Sequence, residues 1–445
     1  MIKRLIILFF CLISFFLKAE EDSIEEVVSI ASKIHKSKNI ISSTIDIVDA
    51  EELERQSVKD LLSILSDSLA IDTSSYGGLG QVSSVFLRGT NSNHTIFQVN
   101  GVKINPSSAG GASIYSLDAD VISKLEIGSG AFSSIHGSEA IGGIVNISTI
   151  PQDHEGNSKV RIHFGKNRFR KKSASFYSNK ENVKLNLIFS DTSTDGFPVF
   201  KTSTLRRGFE NKTLVASISQ QLQTSNVLFS SWSSKGRTQY LGFDLAPLSQ
   251  YYNNEAHALS VLFNSNKDYK FLIRINAFED LILQEQENFI NDIDLTRTKR
   301  NNLELIINKT FYPKNSLVVG YSLEDEEIDY SSFGTKFDKN LKTESFLGEA
   351  KFWRKKKGAN ISFRNINHKV FGNQKAWNIN FVRLINNNHS IILSSGTAFR
   401  SPNSSELYGY GANKLLIPET SKSHEIILKH NLKYSSFSSV VFRNK

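Results

Sequence analysis

The chain has 445 residues, a net charge of +9, 11% aromatic side chains, 7 prolines and one cysteine. A single thiol excludes a disulfide framework and a multi-cysteine metal site, and no run of eighteen apolar residues is present to build a bundle of membrane-spanning helices. Residues 20–150 hold 17 acidic and 8 basic side chains, whereas the 295 residues after them hold 27 and 42, so two regions with different surroundings are expected.

Lys3 and Arg4 precede the apolar run Leu5 to Leu17, and Lys18-Ala19 leads into an acidic segment. Residues 1–19 therefore read as a secretory signal peptide, with an N-terminal anchor helix as the other reading. Cys11 lies inside that run, so the processed chain would carry no thiol. Export then leads to the periplasm, the exterior or a β-barrel. The 31 phenylalanines suit the aromatic girdles of a barrel, and less distinctively a large soluble β protein.

Next comes Glu25-Glu26-Val27-Val28-Ser29-Ile30, acidic and then β-branched. Such a segment can add as a strand to a partner's sheet edge, although an ordinary first strand has the same composition. Asp49 followed by Glu52 predicts a capping box opening a helix through Arg55, and Leu61, Leu62 and Leu65 predict a second helix over Lys59 to Leu65. Asp72 to Gln81 is a glycine-rich loop; it opens no helix and holds no lysine, so it is not a phosphate cradle. Alternation from Val82 to Leu87 predicts a strand, and Asn100-Gly101 predicts a type I′ turn between Thr95 to Val99 and Val102 to Ile104. Pro106 to Ala112 is a loop of small residues, Asp118 to Lys124 a short helix, and Leu125 the start of another strand.

From Lys159 onward, segments of about ten residues alternate with period two, among them Val160/Ile162/Phe164, Leu259/Val261/Phe263 and Leu303/Leu305/Ile307. They predict about 15 strands in hairpins, as a barrel or a soluble sandwich. Asp191 to Lys212 and Gly236 to Tyr252 are expected to be long loops presenting Tyr240, Tyr251 and Tyr252. Lys355-Lys356-Lys357 lacks interleaved aromatics and reads as a solvated hairpin turn, not a nucleic-acid site. No G-x-S-x-G elbow and no H-E-x-x-H occurs, so an outer-membrane enzyme or adhesin has little to stand on and no catalytic residue is assigned.

Two stretches are more specific. Ser83 to Asn105 reads SSVFLRGTNSNHTIFQVNGVKIN, and His136 to Ile147 reads HGSEAIGGIVNI. Together they resemble the plug domain of TonB-dependent outer-membrane receptors, with Phe86 to Asn91 closest to the cobalamin receptors among them. Phe399-Arg-Ser-Pro402, Glu406-Leu-Tyr408 and Pro418-Glu-Thr-Ser421 resemble the FRAP, ELY and PETS motifs of the same receptors. The resemblance implies an all-β membrane protein: an α+β plug over 41–152, then an antiparallel transmembrane β-barrel over 158–445, in the outer membrane of a Gram-negative cell. Segment 20–40 would carry the TonB box, with Glu25, Glu26, Val27, Val28, Ser29 and Ile30 engaging TonB. Ligand positions carried over to the apical loops are Tyr76, Gly77, Gln81, Ser83, Asn105, Ser107, Ser108 and Gly110, with Tyr76 standing where the family usually has Asn. Asn100 stands where the family generally has Asp, and His94 matches a family histidine with a structural role.

The expected cargo is cobalamin, with a siderophore as the alternative, and the basic barrel would face lipopolysaccharide; no cofactor is implied. Two departures matter. No histidine lies between Pro402 and Pro418, which counts against haem, and Leu205-Arg206-Arg207-Gly208-Phe209 replaces an acidic calcium cluster, so no metal is assigned. The family's barrels close with about 22 strands, so the end at Lys445, shortly after the PETS motif, reads as a truncation.

Overall fold

The computed structural model describes residues 27–28, 30, 36–37, 44–49, 52–53, 60–151, 158–242, 245–265, 268–287, 289–311, 315–386, 388–431 and 436–445. The signal peptide and Glu25, Glu26 and Ser29 lie outside them. No described helix is long and apolar enough to cross a membrane.

The N-terminal region contains β1 (Val27–Val28), β2 (Lys36–Ser37), β3 (Thr44–Val48), β4 (Ile71–Ser75), β5 (Ser83–Leu87), β6 (Thr95–Val99), β7 (Val102–Lys103), β8 (Lys124–Ser129) and β9 (Gly143–Ser148). Its main sheet runs β3-β8-β9-β6-β7, parallel between β6 and β9 and antiparallel elsewhere. Both faces of β6, β8 and β9 are buried; one face is apolar, and on β8 the other buries Lys124 and Glu126 as an ion pair at 2.6 Å. Helix α1 (Leu61–Ser66) packs Leu61, Ile64 and Leu65 over one face, and Asp60 caps it by accepting from the Ser63 amide at 2.8 Å. Asn100 at φ +50° and Gly101 at φ +81° make the predicted type I′ turn. Asp49 Oδ1 accepts from the Glu52 amide at 3.0 Å, one half of the expected capping box; Arg55, the expected end of that helix, lies outside the described residues. Two expectations shift: Asp72 to Ser75 belong to β4, paired with β5, so the loop is only 76–82; and the helix expected over 118–124 is one 3₁₀ turn, Ala119–Val121, with the strand starting at Lys124.

Fifteen antiparallel strands follow in sequence order, from Lys159–Phe164 to Ser436–Asn444. Their polarity is inverted relative to a soluble protein. Leu187, Ile273, Leu305, Phe346, Phe363, Phe381, Leu393 and Ile426 stand exposed on the outer face, while Ser190, Asn211, Thr213, Ser234, Asn254, Thr298 and Arg300 are buried on the inner one. That is the pattern of a sheet facing hydrocarbon outside and a polar filling inside. Among the described residues no ladder joins the first strand to the last. The long loops expected over 191–212 and 236–252 are mostly strand. Val183–Phe197 and Arg207–Gln221 leave only 198–206 between them, and Leu241 and Pro247 bound the next connection. Lys355 and Lys356 form the predicted turn, Lys355 at φ +52°.

Candidate functional site

The first apical loop is clamped to the barrel wall by its glycines. A Cβ on Gly78 would come within 2.7 Å of the Phe197 ring, and Gly80, at φ +80°, lies against Phe209. Thr238 Oγ1 donates to the Gly80 carbonyl at 2.6 Å, and buried Gln81 donates from Nε2 to the Gln239 carbonyl at 2.6 Å. Ser83 Oγ donates to the Gln81 carbonyl at 2.8 Å. Tyr76 alone projects, 76% exposed.

The second apical loop meets a different sector of wall. Asn105 is buried and structural: its Oδ1 accepts from the Phe97 amide at 2.7 Å and its Nδ2 donates to the Thr95 carbonyl at 2.9 Å. Its own carbonyl accepts from Arg300 at 2.7 Å. Ser107 Oγ donates to both oxygens of Glu326, at 2.9 and 3.0 Å, and the buried Ser108 amide donates to Thr298 Oγ1 at 3.0 Å. Gly110 lies beside Asn403 and Asn93. Thus Gln81, Asn105 and Ser108 are committed to holding the plug, whereas Tyr76, Gly77, Ser83, Ser107 and Gly110 keep some exposure.

Beside the first loop a cavity of about 560 Å³ separates plug from wall, with Leu79, Tyr115, Phe169 and Phe197 as its apolar surface and Lys166 and Lys171 as its cations. Asp118 also lines it. Its carboxylate pairs with Lys171 Nζ at 2.7 Å and accepts from Ser190 Oγ at 2.8 Å and Thr192 Oγ1 at 3.1 Å. Burial pushes the Asp118 carboxyl up, but Lys171 and these hydrogen bonds outweigh it and hold the group below its ordinary value. A depressed native value means the tie stabilises above the ordinary carboxylate range and is lost as pH falls through the lowered value. Protection of amides 118–121 against exchange, measured relative to their intrinsic rates, should therefore fall below about pH 4. Asp118→Asn should remove that dependence and cost about 1–3 kcal/mol, read by chemical denaturation.

At the barrel mouth the FRSP, ELY and PETS residues prove to be one clasp. Arg400 reaches Glu406 at 2.5 Å and Glu419 at 3.1 Å, and Glu419 also meets His94 of the plug at 2.7 Å. Asn403 and Glu406 form a reciprocal capping box on α2 (Ser404–Tyr408), pinning connection 401–418 by both ends. Sequence reasoning found this motif but missed its aromatic neighbours. Tyr330 and Phe337 stack at 4.7 Å, Tyr408 joins them at 5.7 Å, and Lys339 lies 4.6 Å above the Tyr408 ring. Their alternation is ordinary strand alternation, so nothing local marks them. Of the tyrosines expected on loops, Tyr252 is buried against Tyr115 at 5.4 Å, Tyr251 bonds Glu285 at 3.0 Å, and Tyr240 bonds Gln284.

At the opposite end of the N-terminal region β1 pairs with β2 inside the chain. Ile30 is fully buried among Ile96, Phe132, Ala140 and Ile144, and its carbonyl lies 2.9 Å from His136 Nε2. The most deeply buried plug-to-wall ion pair lies between Arg88 and Glu425 at 3.0 Å, with Phe442 4.6 Å beneath the guanidinium.

A folded plug bonded to the polar inner face of a lipid-facing β-sheet defines an outer-membrane receptor of the plugged-barrel class. Residues 37–144 match the family model described as TonB-dependent Receptor Plug Domain. Over 443 residues the chain is 26% identical to the vitamin B12 transporter BtuB of Vibrio vulnificus (strain YJ016), covering 97% of this chain and 72% of that protein. It is 24% identical to that of Photobacterium profundum, over 94% of this chain and 69% of the relative. Among solved structures, the ferric enterobactin receptor of Pseudomonas aeruginosa superposes with a TM-score of 0.77 at 16% identity, over 94% of this chain and 73% of that one. The alcaligin outer-membrane receptor FauA of Bordetella pertussis gives 0.75 at 15%, with the same two coverages. Residues 37–144 thus carry a TonB-dependent receptor plug domain, and the chain as a whole is similar in sequence and fold to TonB-dependent outer-membrane receptors.

Proposed function

We propose that the protein imports cobalamin, with TonB supplying the coupling to the proton-motive force. The observation that carries the ligand is that similarity to vitamin B12 transporters runs along 97% of the chain, whereas the siderophore receptors resemble it in fold at 16% and 15% identity. In this reading residues 1–19 are the signal, 20–40 the TonB-box segment, 41–152 the plug and 158–445 the barrel. The ligand settles on the apical loops, with Tyr76, Gly77, Ser83, Ser107 and Gly110 within its reach and Gln81, Asn105 and Ser108 holding those loops in shape. Lipopolysaccharide surrounds the charged upper strands. Glu25, Glu26, Val27, Val28, Ser29 and Ile30 add as a strand to TonB, where main-chain hydrogen bonds give affinity.

A siderophore is the second reading, favoured by the aromatic and lysine surface at the mouth. Cells expressing the receptor should take up labelled cyanocobalamin saturably, and deleting residues 25–30 should abolish uptake while leaving surface binding. Absence of saturable binding, with uptake of a ferric siderophore instead, would replace the ligand; uptake indifferent to the deletion would remove TonB.

A further inference from the structure

We propose that His389 and His430 form a binding site for one divalent d-block cation of the copper and zinc class, joining two barrel strands where they reach the short turns. His389 opens strand His389–Arg400, and His430 lies directly opposite it in strand Glu419–Asn431. Their Nδ1 atoms face each other at 2.7 Å, with the rings crossed at 69° and 4.8 Å apart. The His389 backbone and the His430 ring are each held from outside the pair. The His389 amide donates to Asn386 Oδ1 at 2.8 Å, fixing the strand start, and the His430 ring stacks on Phe437 of the next strand at 6.0 Å.

The pair continues a rung pattern. On the same outer face, Ile391 opposes Leu428 and Leu393 opposes Ile426, and Leu393 and Ile426 are among the exposed apolar side chains. The imidazoles therefore sit at the edge of the apolar band, where half-buried polar groups need partners. Between two neutral imidazoles only one Nδ1 can donate and the other accept, so the direct contact uses one lone pair. A cation uses both. Two nitrogens each about 2.0–2.1 Å from such an ion, at right-angled to tetrahedral spacing, lie about 2.9–3.4 Å apart, which the pair reaches by opening a few tenths of an ångström through χ rotation. Among the described residues no cluster of three or more His, Cys, Asp or Glu forms a metal site, so water fills the remaining positions. An all-imidazole protein donor set selects copper, nickel or zinc over calcium or magnesium. The ion would cross-link two adjacent strands without touching the plug.

The experiment uses the detergent-solubilised receptor without a polyhistidine tag. Titration with Cu²⁺, followed by electron paramagnetic resonance, should give about one equivalent with nitrogen hyperfine structure, and Zn²⁺ should compete for it. His389→Gln and His430→Gln should each weaken binding at least tenfold while circular dichroism stays that of the barrel. His424→Gln, which alters a histidine bonded instead to Ser395 at 3.0 Å, should leave binding intact. No bound copper in the wild-type receptor, or binding that survives both pair substitutions and so is adventitious, overturns the assignment.

Discussion

Arg88→Met is expected to cost the docked plug about 3–5 kcal/mol, because breaking a buried ion pair strands its partner's charge. Arg88 and Glu425 have side chains 4% and 6% exposed, so neither can turn to water when the other is lost. The backbone prepares the contact. Arg88 adopts φ +51°, and its amide donates to the Ala70 carbonyl at 2.9 Å, turning the side chain out of the plug toward the wall. Gly130 leaves the space: a Cβ there would press into Glu425 Oε1 and lie 3.3 Å from Arg88 Nη1. Urea unfolding of the plug, followed by amide exchange in β8 and β9, should show the loss, and Glu425→Leu alone should be comparably harmful. Arg88→Met combined with Glu425→Leu should recover much of it, since an apolar pair carries no desolvation penalty. A single-substitution cost below about 1 kcal/mol, the range of exposed pairs, would mean that the pair does not hold the plug.

How much of this was legible in the sequence follows from how local each cause is. Asn100-Gly101 and Lys355-Lys356 were readable because a tight turn needs positive φ within two residues, and Asn100, Gly101 and Lys355 adopt it. Barrel strands were readable because lipid selects every second side chain. The outer parts of those strands were not: Asp191 to Thr194 pair in register with Phe209 to Lys212, and after a bulge Phe197 pairs with Arg207, with polar residues toward both faces, so their composition imitates loops. The apical positions could be placed on loops but not sorted by task. Gln81 is committed by Gln239, 158 residues away, and Ser108 by Thr298, 190 away, and no local pattern announces contacts of that range. The charge asymmetry was informative in part. Asp118 of the acidic region does meet Lys171 of the basic one, but Arg88–Glu425 runs the opposite way, and Lys103–Glu139 stays inside the plug.

Releasing the N-terminal segment should strengthen TonB binding, and the size of that effect follows from how the segment is held. For strand addition β1 must leave β2 and Ile30 must leave its pocket, so the apparent affinity is the intrinsic one multiplied by the released fraction. Ile30 is fully buried against Ile96, Phe132 and Ile144, and truncating a buried isoleucine to alanine costs about 2–5 kcal/mol. A middle value of about 3 kcal/mol shifts the docking equilibrium roughly a hundredfold, at 1.4 kcal/mol per factor of ten. Ile30→Ala should therefore bind the isolated periplasmic domain of TonB up to about a hundredfold more tightly in titration calorimetry, until the released fraction approaches one. Because Ile30 also lies in the segment proposed to touch TonB, His136→Ala supplies the control. It removes the contact at 2.9 Å to the Ile30 carbonyl without altering the segment, and at about 1 kcal/mol per hydrogen bond it should tighten binding roughly fivefold. Faster amide exchange at Val27, Val28, Lys36 and Ser37 should accompany both substitutions. Unchanged affinity in both variants, with that exchange accelerated, would show that docking of Ile30 does not limit access to TonB.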